Sequence, residues 1–130
     1  MYLLDTNICV YVIRRRPDAV YRRLSAAGQP VAISVVTAFE LEVGAIRAAG
    51  QHYSEAVRRF IAELQVMPLE DSARAVYGQL RTALEREGER IGAHDMLIAA
   101  HALALNATLV TNNEKEFNRV KGLSIQNWAA

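Results

Sequence analysis

The sequence predicts an α/β fold of three layers, with a central parallel sheet of four to five short strands between two layers of helix. Short apolar runs such as Tyr2-Leu3-Leu4, Val31-Ala32-Ile33 and Thr108-Leu109-Val110 lack the polar alternation of a half-exposed strand. They fit strands buried on both faces. Helical stretches separate them, and strands that alternate with helices belong to a parallel sheet covered on both sides. The 130 residues leave room for one domain, 1–130, with a real core.

The elements follow in order. The first run ends on Asp5, and Thr6 or Asn7 is placed to cap a helix from Ile8 to about Arg16. Pro17 starts a second helix to about Ala27, and Gly28-Gln29-Pro30 turns the chain into the strand at 31–33. Ser34 ends that strand, Thr37 lies just inside a helix to about Ala49, and Gly50 stops it. A helix from about Tyr53 to Leu64 has its apolar residues at helical spacing. Gln65 to Leu69 is a third strand, interrupted late by Pro68, and Asp71 or Ser72 caps a long helix to about Glu87. Ile91-Gly92-Ala93-His94-Asp95 opens a helix from Met96 to about Leu105 that is apolar almost all round, and such a helix is buried. After the strand at 108–110, residues 111–117 begin a short helix, and Leu123-Ser124-Ile125 is the last strand.

An apolar fraction of 52% and a charged fraction of 22% are those of an ordinary soluble globule. No apolar run approaches a membrane span, and the first residues lack the basic-then-apolar pattern of a signal peptide. Cys9, the only cysteine, lies among Ile8, Val10 and Val12 and reads as a small buried hydrophobe. A reducing cytoplasm is the expected compartment.

The chemistry lies in acids placed near strand ends. Asp5 ends the first strand, Glu40 lies early in the helix after the second, Asp95 opens the helix before the fourth, and Asn113 and Glu116 follow the fourth. Elements that follow parallel strands gather at one edge of the sheet. The helix holding Asp95 runs antiparallel to the strand it precedes, so its N-terminus meets the same edge. Bland roles exist for each: Asp5 as a turn cap, Asp95 at the positive end of a helix, Glu116 as a solvated acid. Glu40 and Glu42 flank an apolar stripe of Val36, Phe39, Val43 and Ile46, and only nearness to the helix start favours Glu40. Carboxylates brought together repel unless a cation neutralises them, and hard Mg²⁺ or Mn²⁺ suits a site without Cys or paired His. His94 and His101 lack the companions of a closed zinc set and read as core or surface.

Thirteen of the fifteen basic residues are arginines, and Arg14, Arg15, Arg16, Arg22 and Arg23 fall close to the first acid. Cations at a helix C-terminus account for some of these, and a rim that contacts phosphate would account for all.

Taken together, Leu4-Asp5-Thr6-Asn7, Ile33-Ser34 with Thr37, Glu40-Leu41-Glu42-Val43-Gly44, Ile91-Gly92 leading to Asp95, and Ile98-Ala99-Ala100-His101-Ala102 resemble the PIN-domain ribonucleases. Leu109 through Asn113 with Glu116-Phe117, and Val120 through Trp128, extend the likeness to nearly the whole chain. The resemblance is to the VapC toxins of bacterial VapBC toxin–antitoxin modules. It implies that Asp5, Glu40, Asp95 and Glu116 form an acidic quartet holding Mg²⁺ or Mn²⁺, supported by Thr6, Asn7, Thr111 and Asn113. Many relatives carry Asp where this chain has Asn113, so the fourth charge is assigned to Glu116. The resemblance further implies an endoribonuclease that cuts RNA, commonly tRNA, to leave 5′-phosphate and 3′-hydroxyl ends, with the arginine rim on the substrate. A homodimer and a complex with a VapB antitoxin are implied as well, the antitoxin's C-terminal segment lying over the acidic site. The apolar surface at Val12, Ile13, Val20, Tyr21 and Leu24 offers it a groove for an amphipathic helix. Rival readings are a non-catalytic RNA-binding module and a phospho-receiver domain phosphorylated at Asp71. The second lacks an acid pair after the first strand.

Overall fold

Strand β1 (Tyr2–Leu4) is the centre of the sheet, and its three residues pair on both sides in the computed structural model, which describes residues 1–130. Leu4 lies opposite Ile33 of β2 (Val31–Ser34) on one side and Val110 of β4 (Thr108–Val110) on the other. Strand β3 (Gln65–Met67) and strand β5 (Ile125–Gln126) form the edges, and the order is β3-β2-β1-β4-β5, parallel throughout. The expected layered α/β architecture is present, with five strands.

The strands alternate their side chains between two cores, as a period of two requires. Leu3, Ala32 and Leu109 face one cluster, which holds residues of α5 (Ser72–Arg86), α6 (Ala93–Leu105) and α7 (Glu114–Phe117). Leu4, Ile33 and Val110 face the other, with α1 (Thr6–Arg14), α2 (Asp18–Ser25), α3 (Val35–Arg47) and α4 (Gln51–Glu63). Cys9 is fully buried in the second core, the small hydrophobe it was read to be. No helix is long and apolar enough to cross a membrane.

The chain leaves β1 toward β2 and β3, then α5 and α6 carry it back across to β4 on β1's other side. The direction of winding therefore reverses between β1 and β4. In open parallel sheets the crevice at the carboxyl ends of such strands is where ligands bind.

Several local expectations are corrected. The cap of α1 is Asp5, not Thr6 or Asn7, and the helix begins two residues early. Helix α6 begins at Ala93, so Asp95 sits in its first turn instead of preceding it. The short helix after β4 starts at Glu114, and the last strand is displaced from 123–125 to 125–126. Asp71 stands at the cap position of α5 but makes no capping bond. On α3, Phe39 and Ile46 of the apolar stripe are 69% and 72% exposed, while Thr37, Leu41 and Ala45 are buried, so that stripe points outward.

Burial at β1 gives a direct test. Leu3→Ala should cost about 2–5 kcal/mol in urea unfolding, because a fully buried leucine in the central strand leaves a cavity no neighbour can fill. A loss under about 1 kcal/mol would mean that the sheet's centre relaxes freely.

Candidate active site at the carboxyl edge of the sheet

Asp5 follows β1 and turns back to cap α1, its Oδ1 accepting the Ile8 N–H at 2.9 Å. A short polar side chain directly after a strand does this readily, because its extended backbone lets the carboxylate reach the first turn. Burial pushes the Asp5 carboxyl above its ordinary range; the Thr111 hydroxyl and the Ile8 N–H oppose that, and the charge of Glu40 adds to it.

Glu40 arrives from the second turn of α3. Its Oε1 accepts the Thr6 hydroxyl at 2.7 Å, and its Oε2 lies 3.1 Å from His94 Nδ1. Thr37, one turn earlier and fully buried, stands 3.5 Å from the Thr6 hydroxyl. Glu42 pairs with Arg58 at 2.8 Å away from this group, which separates the two glutamates that helical spacing left equivalent.

Asp95 lies in the first turn of α6, and its pKa is pushed up to about 6. Burial is the main cause, followed by the charges of Asp5, Glu116 and Glu40, with His94 opposing. The four acids therefore share one electrostatic environment, although 111 residues separate Asp5 from Glu116 along the chain. Glu116, in α7, accepts the Asn113 side-chain amide at 2.9 Å, and the Asn113 backbone N–H donates to the Thr111 hydroxyl at 2.9 Å.

Of the supporting residues, Thr6, Thr111 and Asn113 each touch an acid or its holder. Asn7 is exposed and bears on Asp5 only through its backbone N–H. Arg14 to Arg16 and Arg22 and Arg23 are exposed on α1, α2 and the turn between them, and only Arg22 has a carboxylate partner, Asp18 at 3.2 Å. Asp71 pairs with Arg74 at 2.8 Å and is not among the groups acting on Asp95.

One contact near the site escapes sequence reading. His101 is buried, with Nδ1 2.8 Å from the Ser34 hydroxyl, which also accepts the Val36 N–H at the start of α3. It thus ties α6 to the end of α3 that presents Thr37 and Glu40. Ser34 as a helix cap is the only hint of this in the sequence.

No three of the His, Cys, Asp and Glu side chains stand at metal-binding spacing, and Glu40 and Glu116 are each hydrogen-bonded to a neighbour. The donors nonetheless suit a hard divalent cation. They are carboxylate oxygens, with His94 the one titratable group acting on Asp95 in the opposite sense, and their mutual repulsion is visible at Asp95.

The PIN domain family matches residues 2–123. Ribonuclease VapC2 of Rickettsia felis is 42% identical over 131 residues, covering 98% of both chains. The chain belongs to the PIN-domain family, among its VapC ribonucleases. A second VapC relative, the tRNA(fMet)-specific endonuclease VapC of Salmonella typhimurium, is 34% identical over 98% of this chain and 97% of its own. Among solved structures, VapBC2 of Rickettsia felis bound to a DNA fragment from its promoter superposes with a TM-score of 0.91 at 42% identity, over 98% of each chain. The VapC proteins are the ribonuclease members of VapBC toxin–antitoxin systems, so the family expected from the residues is the family found.

The raised pKa of Asp95 carries a pH dependence. Its folded value, about 6, exceeds its ordinary 3.8, so the folded state holds this proton more tightly than the unfolded chain. That contribution to stability is fully present below the ordinary value and is lost as pH rises through about 6. In chelator-treated protein, the Tm of wild type should fall relative to that of Asp95→Asn as pH rises through this window. A difference that stays constant with pH would refute the coupling.

Proposed function

We propose that this VapC protein is a Mg²⁺- or Mn²⁺-dependent endoribonuclease that cuts tRNA, and thereby arrests translation in the cytoplasm, as the toxin of a VapBC pair. The observation that supports it most is that four carboxylates lie within electrostatic reach of one another where the sheet's winding reverses, felt at Asp95 as a pKa pushed up to about 6. Asp5, Glu40 and Asp95 would hold the cation, with Glu116 completing the set or serving a second one. When bound, such a cation supplies Lewis acidity toward the phosphate and lowers the pKa of water.

The chain's own groups account for positioning. Thr6 fixes one oxygen of Glu40, Asn113 fixes one of Glu116, and Thr111 with the Ile8 N–H holds Asp5. At Asp5 those hydrogen bonds oppose the effect of burial and so favour the ionised form that ligation needs. Water adds to phosphorus and the bond to the 3′-oxygen breaks, leaving 5′-phosphate and 3′-hydroxyl ends. Arginines outside the acidic group would bind flanking phosphates, which makes substrate affinity fall with salt. The tRNA assignment rests on the relative named for tRNA(fMet).

A VapB-type antitoxin is the proposed protein partner, since structural neighbours are VapBC complexes. A groove of about 380 Å³ lined by Val12, Ile13, Tyr21 and Leu24 suits an apolar helix, whereas Val20, once counted with them, is fully buried and unavailable. A second copy of the chain is proposed to cover the outward stripe of α3, because apolar side chains as exposed as Phe39 and Ile46 favour association.

Cleavage of end-labelled tRNA is the deciding assay. Wild type with Mg²⁺ or Mn²⁺ should give discrete fragments, and EDTA, Asp5→Asn or Asp95→Asn should reduce the rate by at least on the order of 10²-fold. Fragments that survive all three would refute the reading. For the dimer, Ile46→Glu should shift the mass in light scattering from two chains to one, and an unchanged mass would place the contact elsewhere.

A further inference from the structure

Beside the acidic site, between α1 and α4, lies a cavity of about 540 Å³ whose polar rim is Tyr11, Arg14, Arg16, His52 and Tyr53 over an apolar floor. No carboxylate lines it. Its volume lies within the range of roughly 300–1,000 Å³ that small-ligand sites occupy. The Arg14 guanidinium lies over the Tyr53 ring, 5.1 Å from its centroid, and has no acidic partner. A guanidinium placed over a ring, with no acid beside it, keeps hydrogen-bonding edges free. Unpaired bases stack on such planes, and phosphates dock on such edges.

The cavity is also tied to the reacting end of the sheet. Tyr11 Oη accepts the Asn112 side-chain amide at 3.1 Å, and Asn112 follows Thr111, whose hydroxyl acts on Asp5. Tyr11 lies six residues beyond the Asp5 cap of the same helix, about 9 Å along its axis.

The geometry points to this cavity as the subsite for an unpaired nucleotide flanking the cleaved bond, its base stacked on the Tyr53-supported plane of Arg14 and its phosphate on Arg16. The assignment rests on the reading of the protein as a ribonuclease and adds to it a preference for single-stranded RNA at a defined position. The two other arginines over rings fit less well. Arg15, over Tyr21 at 5.0 Å, lines the apolar groove that also contains Glu63, and Arg23, over Trp128 at 5.7 Å, lines none of the larger cavities.

The test is fluorescence anisotropy of the full chain with a labelled single-stranded RNA and, separately, a blunt-ended, fully paired RNA duplex, both in EDTA so that nothing is cut. Arg14→Lys keeps the charge of an exposed residue but removes the plane, and should weaken single-strand binding about 10-fold while leaving duplex binding within about twofold. Tyr53→Leu, neutral for charge, should do the same, and Tyr53→Phe, which keeps the ring, should restore wild-type binding. Unchanged single-strand affinity in Arg14→Lys would overturn the proposal and leave the cavity to a protein segment. Equal losses for both RNAs would overturn it too, as loss of general phosphate attraction. Because binding is read without cleavage, failure of the nuclease reading would be seen separately, as uncut tRNA with Mg²⁺.

Discussion

The hydrogen bond from the Ile8 N–H to the Asp5 carboxylate is the interaction on which the site depends. It ends the central strand and starts the first helix with one side chain, and so sets where α1 leaves the sheet. It also allows a carboxylate to be almost completely buried, which costs several kcal/mol for an unpaired charge. The positive end of α1 and the Thr111 hydroxyl share that compensation. The other acids are then brought close to it, and burial together with their charges pushes the Asp95 pKa up to about 6. Repulsion of this kind costs stability, and a fold keeps it where a bound cation can return the loss.

Charge is divided sharply over a short distance. The acids crowd the carboxyl edge of the sheet, while unpaired arginines stand on α1, α2 and the turn between them. A formal net charge of +1 conceals this completely. A polyanion would meet the cations first and be guided across them toward a centre whose bare carboxylates repel it. The separation matters because an arginine set among the carboxylates would neutralise them and compete with the cation.

How far the sequence could be read follows from what each element buries. Strands β1, β2 and β4 were legible because both their faces are covered, which leaves an unbroken apolar signature. The edge strands were displaced or shortened because partial exposure admits residues such as Gln65 and Gln126. Helix starts were read late at Thr6, Gln51 and Ala93, since polar or small residues in a first turn resemble loop. On α3 the apolar stripe was legible but its exposure was not, because composition marks a face as apolar without saying what covers it. The four acids were found from their places relative to strands. Their convergence needed the strand order, and the link from His101 to Ser34 spans 67 residues that no local pattern connects.

Asp5 being a helix cap has a consequence for how this chain can diverge. Asn, Ser and Thr all cap helices about as well as Asp, so selection on folding alone would keep a polar residue at position 5 in a lineage that had given up catalysis. Asp95 and Glu116 carry no such second duty, as Gly92 and Asn113 hold the cap positions of their helices. On the proposed assignment of the site, decay of the activity would therefore be written first at those two positions, and descendants that merely bind should be recognisable by their loss.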